Sequence, residues 1–143
     1  MTLKLQPKVA ASLALWHEML SKRDLSELPS IVEASAVFRS PMAHTAYESA
    51  QAVTLVLNTV IKVFENFTYY REFATEDGLS AVLEFSANVG EKQLKGIDMI
   101  RFNEDGKIVD FEVMIRPLSG LQALGMEMGK RLGHLLPEFK AAP

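Results

Sequence analysis

The sequence predicts a single α+β domain, helices first and an antiparallel meander after them. Apolar residues recur at helical spacing through most of the first 64 positions. From Thr68 onward the pattern changes to two-residue alternation punctuated by turns. A length of 143 residues closes one sizeable core and leaves no room for a second domain.

Pro7 opens the first helix, where a missing N–H does no harm. Val9, Leu13, Trp16 and Leu20 then form its apolar stripe as far as Lys22. Asp24, with Glu27 three residues on, is a capping pair for a second short helix that Pro29 ends or kinks. Ala34 to Arg39 reads as a short strand, stopped at Ser40-Pro41 because proline lacks a ladder donor. Met42 to Tyr47 is a loop. Glu48 opens a long helix whose stripe is Val53, Leu57, Val60, Ile61 and Phe64.

Thr68 to Ala74 is rich in aromatic and β-branched residues and is followed by the turn Glu76-Asp77-Gly78. Leu79 to Val89 alternates through Ala81, Leu83, Phe85 and Ala87, up to a second turn at Gly90-Glu91-Lys92. Leu94 to Phe102 and Lys107 to Arg116 are joined by the hairpin turn Asn103-Glu104-Asp105-Gly106. Pro117 ends the meander. Leu118 to Leu136 is a helical tail weakened by Gly120, Gly125, Gly129 and Gly133. Helices on one face of a curved sheet follow from this order. The core spans about residues 8–117, with a tail over 118–143.

Composition removes several functions. Net charge is -3 with Lys and Arg dispersed, whereas a nucleic-acid binder carries a basic face. The long uncharged stretch from Ser49 to Ile61 is too short to span a bilayer, and the N-terminus lacks the apolar run of a signal peptide, so a cytoplasmic protein with no membrane partner is expected. There is no cysteine, which removes thiol catalysis and thiolate metal sites. His17, His44 and His134 stand singly, without ligand spacing, so no metal and no cofactor is expected.

Asp98 is the residue with chemical promise. It lies mid-strand, and alternation puts it on one face with Ile100 and Phe102. A carboxylate there is costly unless it is paired or protonated. It is either a structural carboxylate paired with Arg101, Arg116 or a backbone donor, or a functional acid. His44, in the loop after Pro41, has the side chain for a base near neutral pH. Phe111, Val113 and Ile115 alternate toward one face of the last strand. Tyr69 and Arg71 are read on one face with Phe67 and Phe73, Arg71 neutralising Glu84 or Glu112 or else anchoring an anionic ligand. His17 is read as pointing away from Trp16, to the surface or an interface.

The segment Gly96-Ile97-Asp98-Met99-Ile100-Arg101-Phe102-Asn103-Glu104-Asp105-Gly106-Lys107-Ile108-Val109-Asp110-Phe111 resembles the last hairpin of NTF2-like proteins. Val37-Phe38-Arg39-Ser40-Pro41, Ala46-Tyr47-Glu48 and Met114-Ile115-Arg116-Pro117-Leu118 resemble the SnoaL-like, polyketide cyclase-like subset. The resemblance implies a cone: a curved mixed or antiparallel sheet around a pocket, helices on its concave face, and homodimers through the other face. More distantly, Asp98 aligns with the neutral, hydrogen-bond-donating aspartic acid of ketosteroid isomerases. Their catalytic carboxylate falls at Ser40 and their phenol at Trp16, which argues against that mechanism. Two functions follow. One is an enzyme on an apolar oxygenated molecule, with Asp98 as acid, His44 or a water as base, and Trp16, Ser40, Tyr47, Phe111, Val113 and Ile115 lining the pocket. The other is a non-catalytic ligand-binding or dimerisation module.

Overall fold

The computed structural model describes residues 4–135. Helix α1 covers Pro7–Lys22, with Pro7 in its first turn as the sequence predicts. Arg23 closes it in the left-handed region (φ 53°), its N–H reaching the carbonyls of Leu20 and Met19. The short helix expected behind Asp24 is a single 3-10 turn, Leu28–Ile31, flanked by Glu27 and with Pro29 inside it. Asp24 instead accepts from the Ser26 N–H in a local turn.

Strand β1 (Val32–Arg39) precedes a two-residue strand β2 (Tyr47–Glu48). Glu48 therefore ends a strand pairing and does not open the helix. Helix α2 covers Ala50–Val63, and the hydroxyl of Ser49 caps it by accepting from the Ala52 N–H. The meander follows as β3 (Glu65–Ala74), β4 (Ser80–Val89), β5 (Lys92–Phe102) and β6 (Ile108–Arg116). The tail forms α3, Leu118–Leu132; Leu136, where the sequence reading ended it, lies outside the described residues.

The six strands make one sheet in the order β2-β1-β6-β5-β4-β3. Only β1 and β6 pair in parallel. Register slips interrupt the ladders within β1, β3 and β6. Such bulges bend strands and increase local twist, which curls a sheet. The concave face carries continuous rows across the central strands: Ala81–Ile100–Phe111, Leu83–Asp98–Val113 and Phe85–Gly96–Ile115. A Cβ on Gly96 would lie 2.8 Å from the Phe85 ring and 2.5 Å from the Met114 carbonyl, so only glycine fits that row. The helices cover this face. Trp16 of α1 packs edge-on against Phe111, and Gly120 of α3 sits directly on Leu94 of β5.

One bulge changes a sequence expectation. Between Tyr69 and Glu72 the β3 register slips, so Tyr69 opposes Phe85 while Glu72, and not Arg71, opposes Leu83. Arg71 and Phe73 are thereby moved off the face of Phe67 and Tyr69. Both are exposed on the convex side, where Arg71 forms a two-pronged ion pair with Glu84. Among the described residues no helix is long and apolar enough to cross a membrane.

Candidate functional site

The concave face, α1, α2 and α3 enclose a cavity of about 660 Å³. Its walls are mostly apolar, with Phe38, Val56, Leu57, Phe67 and Leu124 among them. That is the size and character of a small-molecule site.

Asp98 is 5% exposed and faces this cavity from the middle of β5. Its partner is neither of the arginines considered from sequence. Those side chains follow odd-numbered β5 and even-numbered β6 positions onto the other face. The hydroxyl of Tyr69 donates to Asp98 Oδ2 at 2.5 Å, and the indole N–H of Trp16 donates to the Tyr69 oxygen at 3.0 Å. The three residues form a chain of donors ending on the carboxyl. Burial without a cation pushes the Asp98 pKa up from 3.8 to about 7, and the Tyr69 hydrogen bond holds it slightly back. Burial, followed by the charge of Asp98, raises the Tyr69 phenol well above its ordinary range. Near neutral pH this site holds a carboxyl poised between acid and carboxylate, on an apolar floor.

The other residues singled out from the sequence separate into two groups. Trp16, Ser40, Tyr47, Phe111, Val113 and Ile115 all line the cavity. Ser40 accepts from the Met42 N–H and so shapes the turn after β1. His44 is exposed in the loop between β1 and β2 and is not among the cavity residues. The Asp98–His44 dyad is therefore absent. Met42 of the same loop, though half-exposed, does line the cavity and meets α3 at Gly125, where a Cβ would fall 2.5 Å from the Met42 methyl.

Two cavity residues escaped sequence reasoning. Tyr69 is the phenol of the site, and the signal for it was available: it alternates with Phe67 on a strand next to the one that pairs with β5. His17 lies on the cavity wall while its side chain stays about a third exposed. Its ring meets Tyr69 edge to face with centroids 5.2 Å apart, and its Nε2 lies 2.5 Å from Glu72 Oε1. Glu72 reaches that position because of the β3 bulge, which periodicity does not reveal.

The comparisons with known proteins agree with this architecture. The family model for the SnoaL-like domain matches residues 13–111. A solved steroid delta-isomerase from Pseudomonas aeruginosa is 60% identical, with a TM-score of 0.91 over 95% of this chain and 99% of that one. An uncharacterised protein with a cystatin-like fold from Silicibacter pomeroyi is 30% identical, with a TM-score of 0.82 over 91% of this chain and 94% of its own. The epoxide hydrolase/cyclase-like enzyme SalBIII shares the fold at 16% identity and a TM-score of 0.64, covering 79% of this chain and 93% of that one. No curated protein matches the chain. The matched region spans most of the chain, and the protein belongs to the SnoaL-like domain family.

Proposed function

We propose that this protein binds an apolar, oxygenated small molecule in its cone and acts on it by isomerase-type proton transfer, with Asp98 as the hydrogen-bonding acid. The observation that carries the reading is a carboxyl on the floor of a 660 Å³ apolar cavity, paired with a phenol and with no cation beside it. A half-neutralised carboxyl at this place donates to a carbonyl oxygen as negative charge develops on it. The likeness to a steroid delta-isomerase supports a polycyclic ketone as substrate class. Binding of 2-naphthol, followed by its absorbance, tests the site. Asp98→Asn is expected to weaken it at least about tenfold, the worth of one charge-assisted hydrogen bond. Unchanged affinity would remove Asp98 from the ligand site.

A carrier without chemistry is the second reading. It is favoured by Ser40, which ends β1 at the cavity with a hydroxyl and no titratable group. Retained naphthol binding with no turnover of any ketone would leave that reading standing.

The convex face supports a second proposal about assembly. Tyr70, Phe73, Met99 and Met114 are each more than a third exposed there. They lie among the Arg71–Glu84–Lys95 and Arg39–Asp110 ion pairs. An apolar centre with charged surroundings suits a second copy of the chain. Met114→Glu is expected to convert a dimer into a monomer in sedimentation. A monomeric starting protein would overturn the assembly.

A further inference from the structure

Proton transfer at carbon needs a base as well as an acid. The site as described has an acid in Asp98, while the Ser40 hydroxyl is engaged in a turn and His44 lies outside. His17 lines the remaining wall, and Glu72 lies against it. The His17 imidazole packs on the ring of Tyr69, so a single phenol separates it from the Asp98 carboxyl. Its Nε2 is buried against Glu72 Oε1 at 2.5 Å, although off the line of a good hydrogen bond. A carboxylate at Nε2 favours the tautomer with the proton there and the lone pair on Nδ1. Two side chains of β3, on either side of its bulge, thus serve the two ends of one site. Tyr69 donates to Asp98, and Glu72 lies against His17 Nε2. The charged and titratable groups lining this part of the cavity beside His17 are Tyr69 of β3, Asp98 of β5 and Arg23 at the end of α1, with Glu72 of β3 behind His17. The Arg23 guanidinium is bound to the carbonyls of Ile61 and Phe64.

Resting on the function proposed above, we infer that His17 is the catalytic base of this cavity and Glu72 the residue that positions it. A ketone held with its oxygen on Asp98 gives up a proton from the carbon beside the carbonyl to His17 Nδ1. The C–H electron pair passes into the carbonyl group, whose oxygen becomes an enolate hydrogen-bonded by Asp98. With a β,γ-unsaturated ketone, Nδ1 returns the proton to the γ-carbon. A new C–H bond forms there and the double bond moves into conjugation. No oxidant or second reactant enters.

The test is hydrogen–deuterium exchange at the α-carbon of 1-tetralone, followed by NMR in D2O, with 2-naphthol binding measured on every variant. Wild type is expected to exceed the buffer rate. His17→Ala should lower its rate about 100-fold, well beyond any change in naphthol affinity, with part of the exchange restored by added imidazole. His17→Asn, closer in shape, should lose exchange equally and checks that the loss is not unfolding. Glu72→Gln should lower kcat roughly tenfold at unchanged KM, since only the orientation of the base is lost. Exchange kept within twofold in both His17 variants overturns the base assignment and leaves the proposed function intact. A wild-type rate equal to buffer overturns both, and naphthol binding then separates a carrier from a protein without a ligand site.

Discussion

Glu84 on β4 and Asp98 on β5 are both little-exposed acids at the centre of one sheet, on opposite faces of it. Glu84 accepts two hydrogen bonds from the Arg71 guanidinium and lies 3.1 Å from the Lys95 ammonium. These cations hold its pKa down at about 2. Asp98 has a phenol for a partner and no cation, so burial dominates and its pKa rises to about 7. Depth alone does not set the protonation of a carboxyl. The neighbour that accompanies it does. The convex face is built to keep an anion and the concave face to share a proton.

The largest expected effect comes from removing the charge at Asp98. The folded carboxyl holds its proton more tightly than the unfolded chain, whose value is near 3.8. Its contribution to stability is therefore fully present below that pH and lost as pH rises through about 7. Asp98→Asn cannot ionise and escapes that loss. It is expected to be more stable than wild type at about pH 8 by on the order of 4 kcal/mol. The gain should shrink toward zero in acid. Urea unfolding at two pH values measures it, and a gain independent of pH would break the contrast with Glu84.

Tyr69→Phe comes next. It removes the hydrogen bond that Asp98 receives from this phenol and leaves the Trp16 indole N–H without its acceptor. A loss of about 1–3 kcal/mol follows from stranding buried polar groups. Because the lost bond lowered the Asp98 pKa, the carboxyl should titrate above its wild-type midpoint, which NMR of a carboxyl-labelled protein reads directly. A downward movement would show that the phenol does not act on this group.

The smallest effect belongs to the convex side. Arg71→Gln combined with Lys95→Gln should let the Glu84 pKa climb back toward 4.5. The stability Glu84 contributes is present above that value and is lost as pH falls toward 2. The double variant should therefore show a slightly lower urea midpoint at neutral pH and match wild type in strong acid. The ion pairs are partly open to water, so the shift is small.

Much of the site is legible in the sequence. Two-residue alternation put Asp98 with Ile100 and Phe102, and Phe111 with Val113 and Ile115, and these residues do share the concave face. The hairpin turn at Asn103 to Gly106 set the register of β5 against β6, which brings Asp98 opposite Val113. His44 was a loop residue with suitable chemistry, and loops carry no period from which to read direction. His17 failed for a different reason. Next to Trp16 on a helix it should project to another face, and it does, yet the cone wraps far enough around α1 that this second face also meets the cavity.

Local chemistry determined where the helices and strands run, because capping, turn residues and apolar period act over a few neighbours. It also marked Asp98 as an acid on an apolar face. Tertiary structure alone decided what that acid would become. One bulge in β3 turned Arg71 outward to Glu84 and left Tyr69 and Glu72 facing inward. Asp98 was thereby given a phenol and denied a cation. A bulge is one residue of slippage between two strands, and no period within a single strand records it.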